Sequence, residues 1–589
     1  MQTLLTFTLQ AGLFWFGAAI IWRLNKALRA KRGALRQSLN LDDLCYLMLV
    51  SLLFTGLTLY QPLLSYIFAA GLFIYGLALW FDALLFVQFR IEVNRQTLAW
   101  CVTGSRGLSK GIPHLFSLLN KYPWGAAIPL CWAGLLFGLP SVAHALSVPI
   151  SLQWLLIIPF VVVAGLKLVS WIMPLQHGFF TSASLLGKVL ADDRFQGDES
   201  LVLEPEHQAF VNAVSAPQQA SQDFGRCAGA NIILITMESL GNYLSDDDKD
   251  GIRSRLAKRF NQRSWKSQQH FCLCPNTTVS TNQMYTGAYS NNPYNKDDSL
   301  YPGLEPKHIK QLQKQGYTTM FLDSADINLY DYHKLLSRIG FDHVWGTHDL
   351  PDNGLKADYR LWNMVDKVAE VAAKQPFFLH IINDQTHMPY EVVDKVRFNR
   401  HKGKDGKATY LNAAEEVDYI LDEFLNRLGE RVDLSNTLLV FTGDHGESFG
   451  EFGYSFHSNS VILPQMQVPF MLTHPNLASK QITHSCHFDL FPTFFDLLGI
   501  EYDYQCMGSS LANDERAFAY LFHSATLKGN TPANFGVLFE GDLYWVDRLF
   551  NQVNLLAEGQ KAASLNQQKR TYVCSFLHRM LQQHQIMDS

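Results

Sequence analysis

Five apolar segments crowd the first 175 residues, and no other feature restricts the fold as strongly. They lie near 3–22, 43–61, 63–86, 124–146 and 152–174. Each is long enough to cross about 30 Å of hydrocarbon as a helix of about 20 residues. The first lacks a basic leading region and a small-residue cleavage site, so it reads as a retained anchor rather than a signal peptide. Residues 1–175 are therefore expected to form a multi-pass α-helical membrane domain. Asp82 and Lys167 fall within or near these spans. Intramembrane charges often line a pathway, but a place at a span end or snorkelling to the interface is the simpler reading.

The basic residues give conflicting orientations. Arg23, Lys26, Arg29, Lys31, Arg32 and Arg36 follow the first span, and Arg90, Arg95, Arg106, Lys110 and Lys121 lie between the third and fourth. The positive-inside rule puts both loops, and with them the soluble remainder, in the cytoplasm. Interfacial helices on anionic lipid would leave that remainder outside. Nine cysteines are present. Six of them, Cys227, Cys272, Cys274, Cys486, Cys506 and Cys574, follow the spans, an even number compatible with disulfides or with buried thiols. A net charge of −5, spread along 589 residues, gives no basic face for nucleic acid.

Residues 176–228 read as a connection, with an Ala/Gln/Ser/Gly-rich stretch over Val214–Gly229. Residues 229–589 read as the catalytic domain. Short β-branched apolar runs predict buried strands at Ala230–Met237, Tyr317–Leu322, Pro376–Ile382, Thr437–Thr442 and Val468–Thr473. Helical stretches at Lys307–Gln315, Leu361–Ala373 and Ala413–Leu428 separate several of them. Alternation of this kind implies an α/β domain with a central, mainly parallel sheet covered on both faces. Sites in open sheets lie beyond the carboxyl ends of the strands, so the residues closing each run carry the most information.

The first run ends in Glu238, a suitable hard-metal ligand. The fourth ends in Thr442-Gly-Asp444-His445-Gly-Glu447, whose adjacent Asp and His offer oxygen and nitrogen to one cation. Between them, Cys274-Pro-Asn-Thr277-Thr-Val-Ser280 leads into Thr281-Asn-Gln-Met284. It sets hydroxyls at a helix start, where free N–H groups favour an anion. Each motif alone also fits a capped helix or a solvated loop. Together they suggest a metal-activated hydroxyl nucleophile.

Thr277-x-x-Ser280, Glu238 and Asp444-His445 resemble the catalytic core of the alkaline phosphatase–sulfatase superfamily. The similarity is to the membrane-anchored branch of lipoteichoic acid synthases and phosphoethanolamine transferases, which join about five spans to a sulfatase-like domain. The resemblance implies that Glu238, Thr277, Asp444 and His445 bind a divalent metal, zinc or manganese ahead of magnesium, with Thr277 as nucleophile. Asn383-Asp-Gln-Thr-His387-Met-Pro-Tyr390 and Phe456-His457-Ser458 resemble family segments whose histidines face the phosphate, which adds His387 and His457 as catalytic residues. His487-Phe-Asp489 with Leu498-Gly-Ile500 is similar to a structural helix of such domains.

There are departures. Thr277-Thr-Val-Ser-Thr281 has neither the Cys/Ser nor the Arg of formylglycine sulfatases. The Trp–Asn–Arg segment of lipoteichoic acid synthases is replaced by Asp326-Ile-Asn-Leu-Tyr330. The resemblance implies ping-pong transfer of phosphoglycerol or phosphoethanolamine from a membrane phospholipid to a glycan or lipid acceptor through a phosphothreonine. It also implies an integral protein of the bacterial cytoplasmic (inner) membrane with its catalytic domain outside. A phosphodiesterase or sulfatase-like hydrolase is the alternative, and a non-enzymatic transporter or scaffold the second.

Overall fold

The computed structural model describes residues 2–29, 41–89, 127–138, 201–212, 218–245, 251–260, 263–289, 305–329, 332–374, 376–403, 406–513, 521–525, 534–539, 542–547, 552–556 and 563–583, with a few isolated positions between them. The chain divides into two compact units, Met1–Asp193 and Arg194–Ser589.

In the first unit, α1 (Gln2–Arg29), α2 (Leu41–Tyr60) and α3 (Pro62–Phe89) pack on one another. Phe14, Ala18, Val50, Phe54 and Ala69 form their shared contact with Trp132 and Leu136. Two stretches, Thr6–Asn25 and Leu63–Leu84, are long and apolar enough to cross a membrane, and Leu44–Tyr60 is a shorter apolar helix. Leu63, Tyr66, Ile67 and Ile74 project outward with half or more of their surface exposed. Pro62 opens α3 and separates it from α2, because its ring has no N–H to continue the ladder. Asp82 is buried in α3 and lies two residues before the end of the apolar stretch Leu63–Leu84, as the span-end reading expects. Of the fourth expected span, residues 127–138 are described; the fifth, Lys167 and the basic loops after residue 29 lie almost wholly outside the described residues.

The second unit is built on a mixed sheet. The strands β1 (Asn231–Met237), β2 (Ser264–Phe271), β3 (Thr318–Asp323), β4 (His343–Trp345), β5 (Phe377–Ile382) and β6 (Thr437–Gly443) come first. After a two-stranded hairpin of β7 (Ser448–Phe449) and β8 (Ser455–Phe456), the large sheet resumes with β9 (Gln467–Val468), β10 (Phe470–Thr473) and β11 (Lys480–Cys486). The order across it is β11-β2-β10-β6-β1-β5-β3-β4. From β6 to β4 every pairing is parallel. β10 runs antiparallel to both of its neighbours, so the sheet is mainly parallel, as expected, without being wholly so. Pro469 splits the predicted run Val468–Thr473 into β9 and β10, since it cannot donate to a ladder.

All seven residues of β1 are buried. Ile232 and Leu234 face one core, with Phe378, Leu438 and Phe491. Ile233, Ile235 and Met237 face the other, with Leu379, Val417 and Phe441. This period-two division is what a strand covered on both faces requires. The long helix Gly406–Gly429 covers the second face with Leu421, Phe424 and Leu425. The helix expected over Leu361–Ala373 instead begins as a 3₁₀ segment, Ala357–Met364, and becomes α-helical at Val365–Ala372. A smaller antiparallel sheet, β12 (Leu521–His523), β13 (Asn534–Phe539), β14 (Asp542–Asp547), β15 (Gln552–Leu556) and β16 (Ala563–Ser564), packs with helix Gln567–Gln583 around Phe522, Trp545 and Leu577. The six cysteines of this unit are free thiols, so no disulfide joins them.

Candidate active site

The register of the parallel strands brings the first carboxylates together. Met237 of β1 pairs with Gly443 of β6, so Glu238 and Asp444, the next residues in each strand, leave the sheet side by side. Gly443 is needed here because a Cβ would meet the Leu240 carbonyl oxygen at 2.2 Å. β5 adds the turn after Ile382 on the other side of β1. Asn383 Oδ1 accepts the Glu238 N–H at 3.0 Å, and Thr386 Oγ1 donates to the Glu238 carbonyl at 2.6 Å.

Thr277 enters as the first residue of helix Thr277–Thr286. Asn276 caps that helix, its backbone extended at φ −149° and its side chain accepting from Val279 N–H at 3.1 Å. The cap is fixed in turn, for Asn276 Nδ2 donates to Ser458 Oγ at 3.1 Å. The hydroxyls that cluster in the sequence then separate. Thr277 Oγ1 lies 3.0 Å from Glu238 Oε2 and 3.1 Å from His445 Nε2. Ser280 Oγ turns away, to the Asp444 carbonyl at 2.7 Å and His487 Nδ1 at 3.0 Å. Thr281 Oγ1 meets Tyr332 at 3.0 Å.

Backbone carbonyls select the tautomers. His445 Nδ1 is 3.0 Å from the Gly446 carbonyl oxygen, which only accepts, so the ring proton sits on Nδ1 and Nε2 presents a lone pair to the cluster. His387 Nδ1 makes the same contact with the Met388 carbonyl at 2.9 Å, leaving Nε2 free as an acceptor or ligand. His457 Nδ1 instead faces Glu447 Oε2 at 3.2 Å. The rings of His445 and His457 lie 4.3 Å apart, and those of His387 and His457 5.6 Å.

Burial and charge separate the titrating groups. Burial first, then the nearby His457, pushes His445 down to about 3, so its imidazole is neutral. Burial works against ionisation of Glu238, but the histidines gathered around it and a hydrogen bond from Asp444 outweigh burial and lower the carboxyl to about 2. Burial and then the Glu238 charge push Asp444 well above the usual range. Two buried carboxylates this close cannot both ionise without a cation between them. For His457, burial works against the charged form and the Glu447 carboxylate overrides it, so its affinity for a proton rises.

The four residues fit a divalent metal. The ligand atoms of Glu238, Asp444 and His445 all lie within 4.8 Å of one another. His445 Nε2 is 3.6 Å from Glu238 Oε1 and 3.4 Å from Asp444 Oδ2. A tetrahedron with bonds of about 2.0–2.1 Å has edges of about 3.3–3.4 Å, and an octahedron around magnesium about 2.9 Å; the two separations lie at or just above the tetrahedral edge. Asp444 Oδ2 is buried and has no hydrogen-bond partner, which is costly for a carboxylate unless a cation occupies the space it faces. A second group, Glu238, His387 and His457, is equally close.

Some functional groups escape sequence reasoning. Glu447, fully buried against His457, stands inside the Thr442–Glu447 motif but carries no signal that separates it from a solvated glutamate. Asn383 and Ser458 orient Glu238 and Asn276 through contacts across 145 and 182 residues. His487, expected only to pack, is hydrogen-bonded on both ring nitrogens, to Ser280 and to the Gly443 carbonyl at 3.0 Å.

Residues 230–500 match the protein family described as Sulfatase. The chain is similar to the lipoteichoic acid synthase-like protein YvgJ of Bacillus subtilis, at 25% identity over 345 residues, 52% of this chain and 53% of that one. It is also similar to a lipoteichoic acid synthase of Staphylococcus aureus, at 24% over 316 residues, 47% and 46% of the two chains. The chain thus spans about half the length of the curated relatives it matches. Among solved structures, the lipoteichoic acid synthase LtaP of Listeria monocytogenes superposes with a TM-score of 0.50 and 18% identity, covering 64% of this chain and 96% of that one. An alkaline phosphatase superfamily protein of Vibrio parahaemolyticus gives 0.50 and 18%, covering 66% and 98%. At these identities the superpositions establish the fold.

Proposed function

From the match of residues 230–500 to the Sulfatase family, we propose that the chain transfers a phosphoglycerol or phosphoethanolamine group from a membrane phospholipid to a glycan or lipid acceptor. The observation that carries the reading is the place of Thr277: a hydroxyl at a helix N-terminus, 3.0 Å from Glu238 and 3.1 Å from His445. The names of the curated relatives favour phosphoglycerol as the group moved.

Glu238, Thr277, Asp444 and His445 would hold a divalent cation, zinc or manganese suiting their mixed nitrogen and oxygen atoms. Bound there, such a cation turns a hydroxyl into an alkoxide and screens the charge of a phosphodiester. In the first half-reaction Thr277 Oγ1 bonds to phosphorus while the bond from phosphorus to the diacylglycerol oxygen breaks. His457, which Glu447 keeps proton-rich, donates to that departing oxygen. His387, exposed and with Nδ1 turned to the Met388 carbonyl, faces the same side of the cluster as His457 and lines the path of the entering headgroup. In the second half-reaction the acceptor hydroxyl returns its proton to His457 as its oxygen replaces Thr277 on phosphorus.

Incubation of the full chain in micelles with phosphatidylglycerol or phosphatidylethanolamine, followed by peptide mass spectrometry, tests the reading. Added phosphoglycerol or phosphoethanolamine on Thr277 supports it; an unmodified Thr277 beside released headgroup supports the hydrolase reading, which the exposure of His387 to water and the Sulfatase match favour.

The lipid donor is also the reason to place the protein in the bacterial cytoplasmic membrane with its catalytic unit outside, where ATP is absent. The free cysteines lend that placement no support. Protease treatment of intact spheroplasts decides it: protection of residues 230–500 would put them in the cytoplasm.

A further inference from the structure

The hairpin between the metal-ligand loop and His457 carries an aromatic ring in an unexpected setting. β7 begins three residues after His445 and β8 ends one residue before His457, with Ser448 opposite Phe456 and Phe449 opposite Ser455. Phe452 stands at the tip. Its backbone is left-handed, φ 50° and ψ 22°, a region that a bulky residue enters only at a cost. Its ring is 43% exposed. Among the described residues after 194, only Val202 and Val396 are large hydrophobics more open to solvent.

The tip is not loose. Phe452 meets the ring of Trp545 edge-on at 5.8 Å. Trp545 is buried, and its Nε1 donates to Asn534 Oδ1 at 2.5 Å. The next aromatic in the hairpin, Tyr454, donates to Asp547 Oδ2 at 2.8 Å. Phe449 N–H donates to Glu451 Oε2 at 2.6 Å, closing the turn from the other side. The small C-terminal sheet therefore braces an exposed ring on the hairpin that joins the metal-ligand loop to His457.

We infer that Phe452 is a specificity-determining contact for the glycerol-ester and acyl portion of the phospholipid donor. The inference rests on the phospholipid-donor reading above. Five residues separate Phe452 from His457, so at about 3.3 Å per residue the ring lies no more than roughly 16 Å from it along the chain. The acyl chains of one leaflet extend about 15 Å. A lipid with its phosphate at Thr277 and its departing oxygen at His457 thus presents its apolar part within reach of this ring. A fixed aromatic captures such a surface without ordering a flexible side chain.

The test compares kcat/KM for diacylglycerol release from a long-chain phospholipid in mixed micelles with kcat/KM for the same headgroup diester lacking acyl chains. Asparagine tolerates the left-handed backbone, so Phe452→Asn removes the apolar ring without adding strain, and Phe452→Trp retains an aromatic. The ratio of the two constants should fall about five- to tenfold in Phe452→Asn, the size expected for losing part of one buried aromatic, and recover in Phe452→Trp. An unchanged ratio would overturn the inference. So would a loss confined to the second half-reaction, which would assign the ring to the acceptor. If the wild-type chain turns over neither diester, the phosphotransfer reading fails, and a photoreactive benzophenone side chain at position 452 still decides the contact. Cross-linking to phosphatidylglycerol vesicles supports it and its absence overturns it.

Discussion

Thr277 Oγ1 stands 3.1 Å from His445 Nε2, the one ring nitrogen of that histidine not committed to a backbone carbonyl. A hydroxyl and an imidazole lone pair directed at the same space, with Glu238 Oε2 3.0 Å away, are the arrangement on which the proposed cation site and nucleophile rest. Thr277→Ala is therefore expected to lower kcat by at least about 10³-fold. The helix should persist, since Asn276 supplies its cap. Thr277→Ser should keep measurable turnover, because the hydroxyl survives. Steady-state kinetics, with circular dichroism to confirm folding, check both variants.

Asp444 should prove the residue most dependent on metal. Its Oδ2 is buried without a partner, and burial, then the Glu238 charge, raises its proton affinity when no cation is bound. Prolonged dialysis against a chelator should abolish activity, with zinc or manganese restoring it. Asp444→Asn should lower bound metal to well under one equivalent. Elemental analysis of the purified full chain measures this, and a variant that retains full occupancy would remove Asp444 from the ligand set.

Glu447 acts through His457. Its Oε2 receives the Nδ1 proton at 3.2 Å and so fixes which nitrogen faces the cleft. Loss of such an orienting carboxylate typically costs about 10–100-fold. Glu447→Gln is expected to lower kcat by that factor with little change in KM. Adding it to His457→Ala should cost little more, since its effect then has no ring to act through; a double-mutant cycle measures the coupling.

Away from the site, Asp418 gives a pH dependence of stability. It lies on helix Gly406–Gly429 and accepts from Ser254 Oγ, Arg255 N–H and Leu256 N–H. Burial outweighs these bonds and lifts its carboxyl to about 6. With the folded value above the ordinary one, the folded state binds this proton more tightly. The group's contribution to stability is therefore greatest below pH 4 and declines as pH rises to about 6, by about 2–3 kcal/mol. The stability of Asp418→Asn relative to wild type should increase over that window and stay level above it. Unfolding of both proteins at pH 4, 5, 6 and 7 measures the difference, and a difference independent of pH would contradict the assignment.

Much of this protein was legible in its residues. The buried strands of the parallel half announce themselves as apolar runs, because a strand covered on both faces can hold nothing else; β1, β3, β5 and β6 all lie where those runs predict. The helix at Thr277 was legible too, since a polar turn that frees a cap leaves a local signature. β2 and β11 were not. Ser-Trp-Lys-Ser-Gln-Gln-His-Phe and Lys-Gln-Ile-Thr-His-Ser-Cys are largely polar, and they become strands by pairing with each other rather than by their own burial. The antiparallel course of β10 and the braced tip at Phe452 likewise depend on partners far along the chain.

What the sequence alone determined was the inventory: apolar helices before a two-sided sheet, and Glu238, Thr277, Asp444 and His445 at the ends of elements. Only the tertiary structure decided which hydroxyl of Thr277, Ser280 and Thr281 joins the carboxylates, and which nitrogen of each histidine is free to bind. Those choices follow from register and helix rotation. Met237 against Gly443 sets Glu238 beside Asp444, and one turn of helix sends Thr277 toward them while Ser280 bonds to His487. Local preference acts over a few residues, whereas these contacts close loops of 39 to 207 residues, and only the packed sheet brings their ends together.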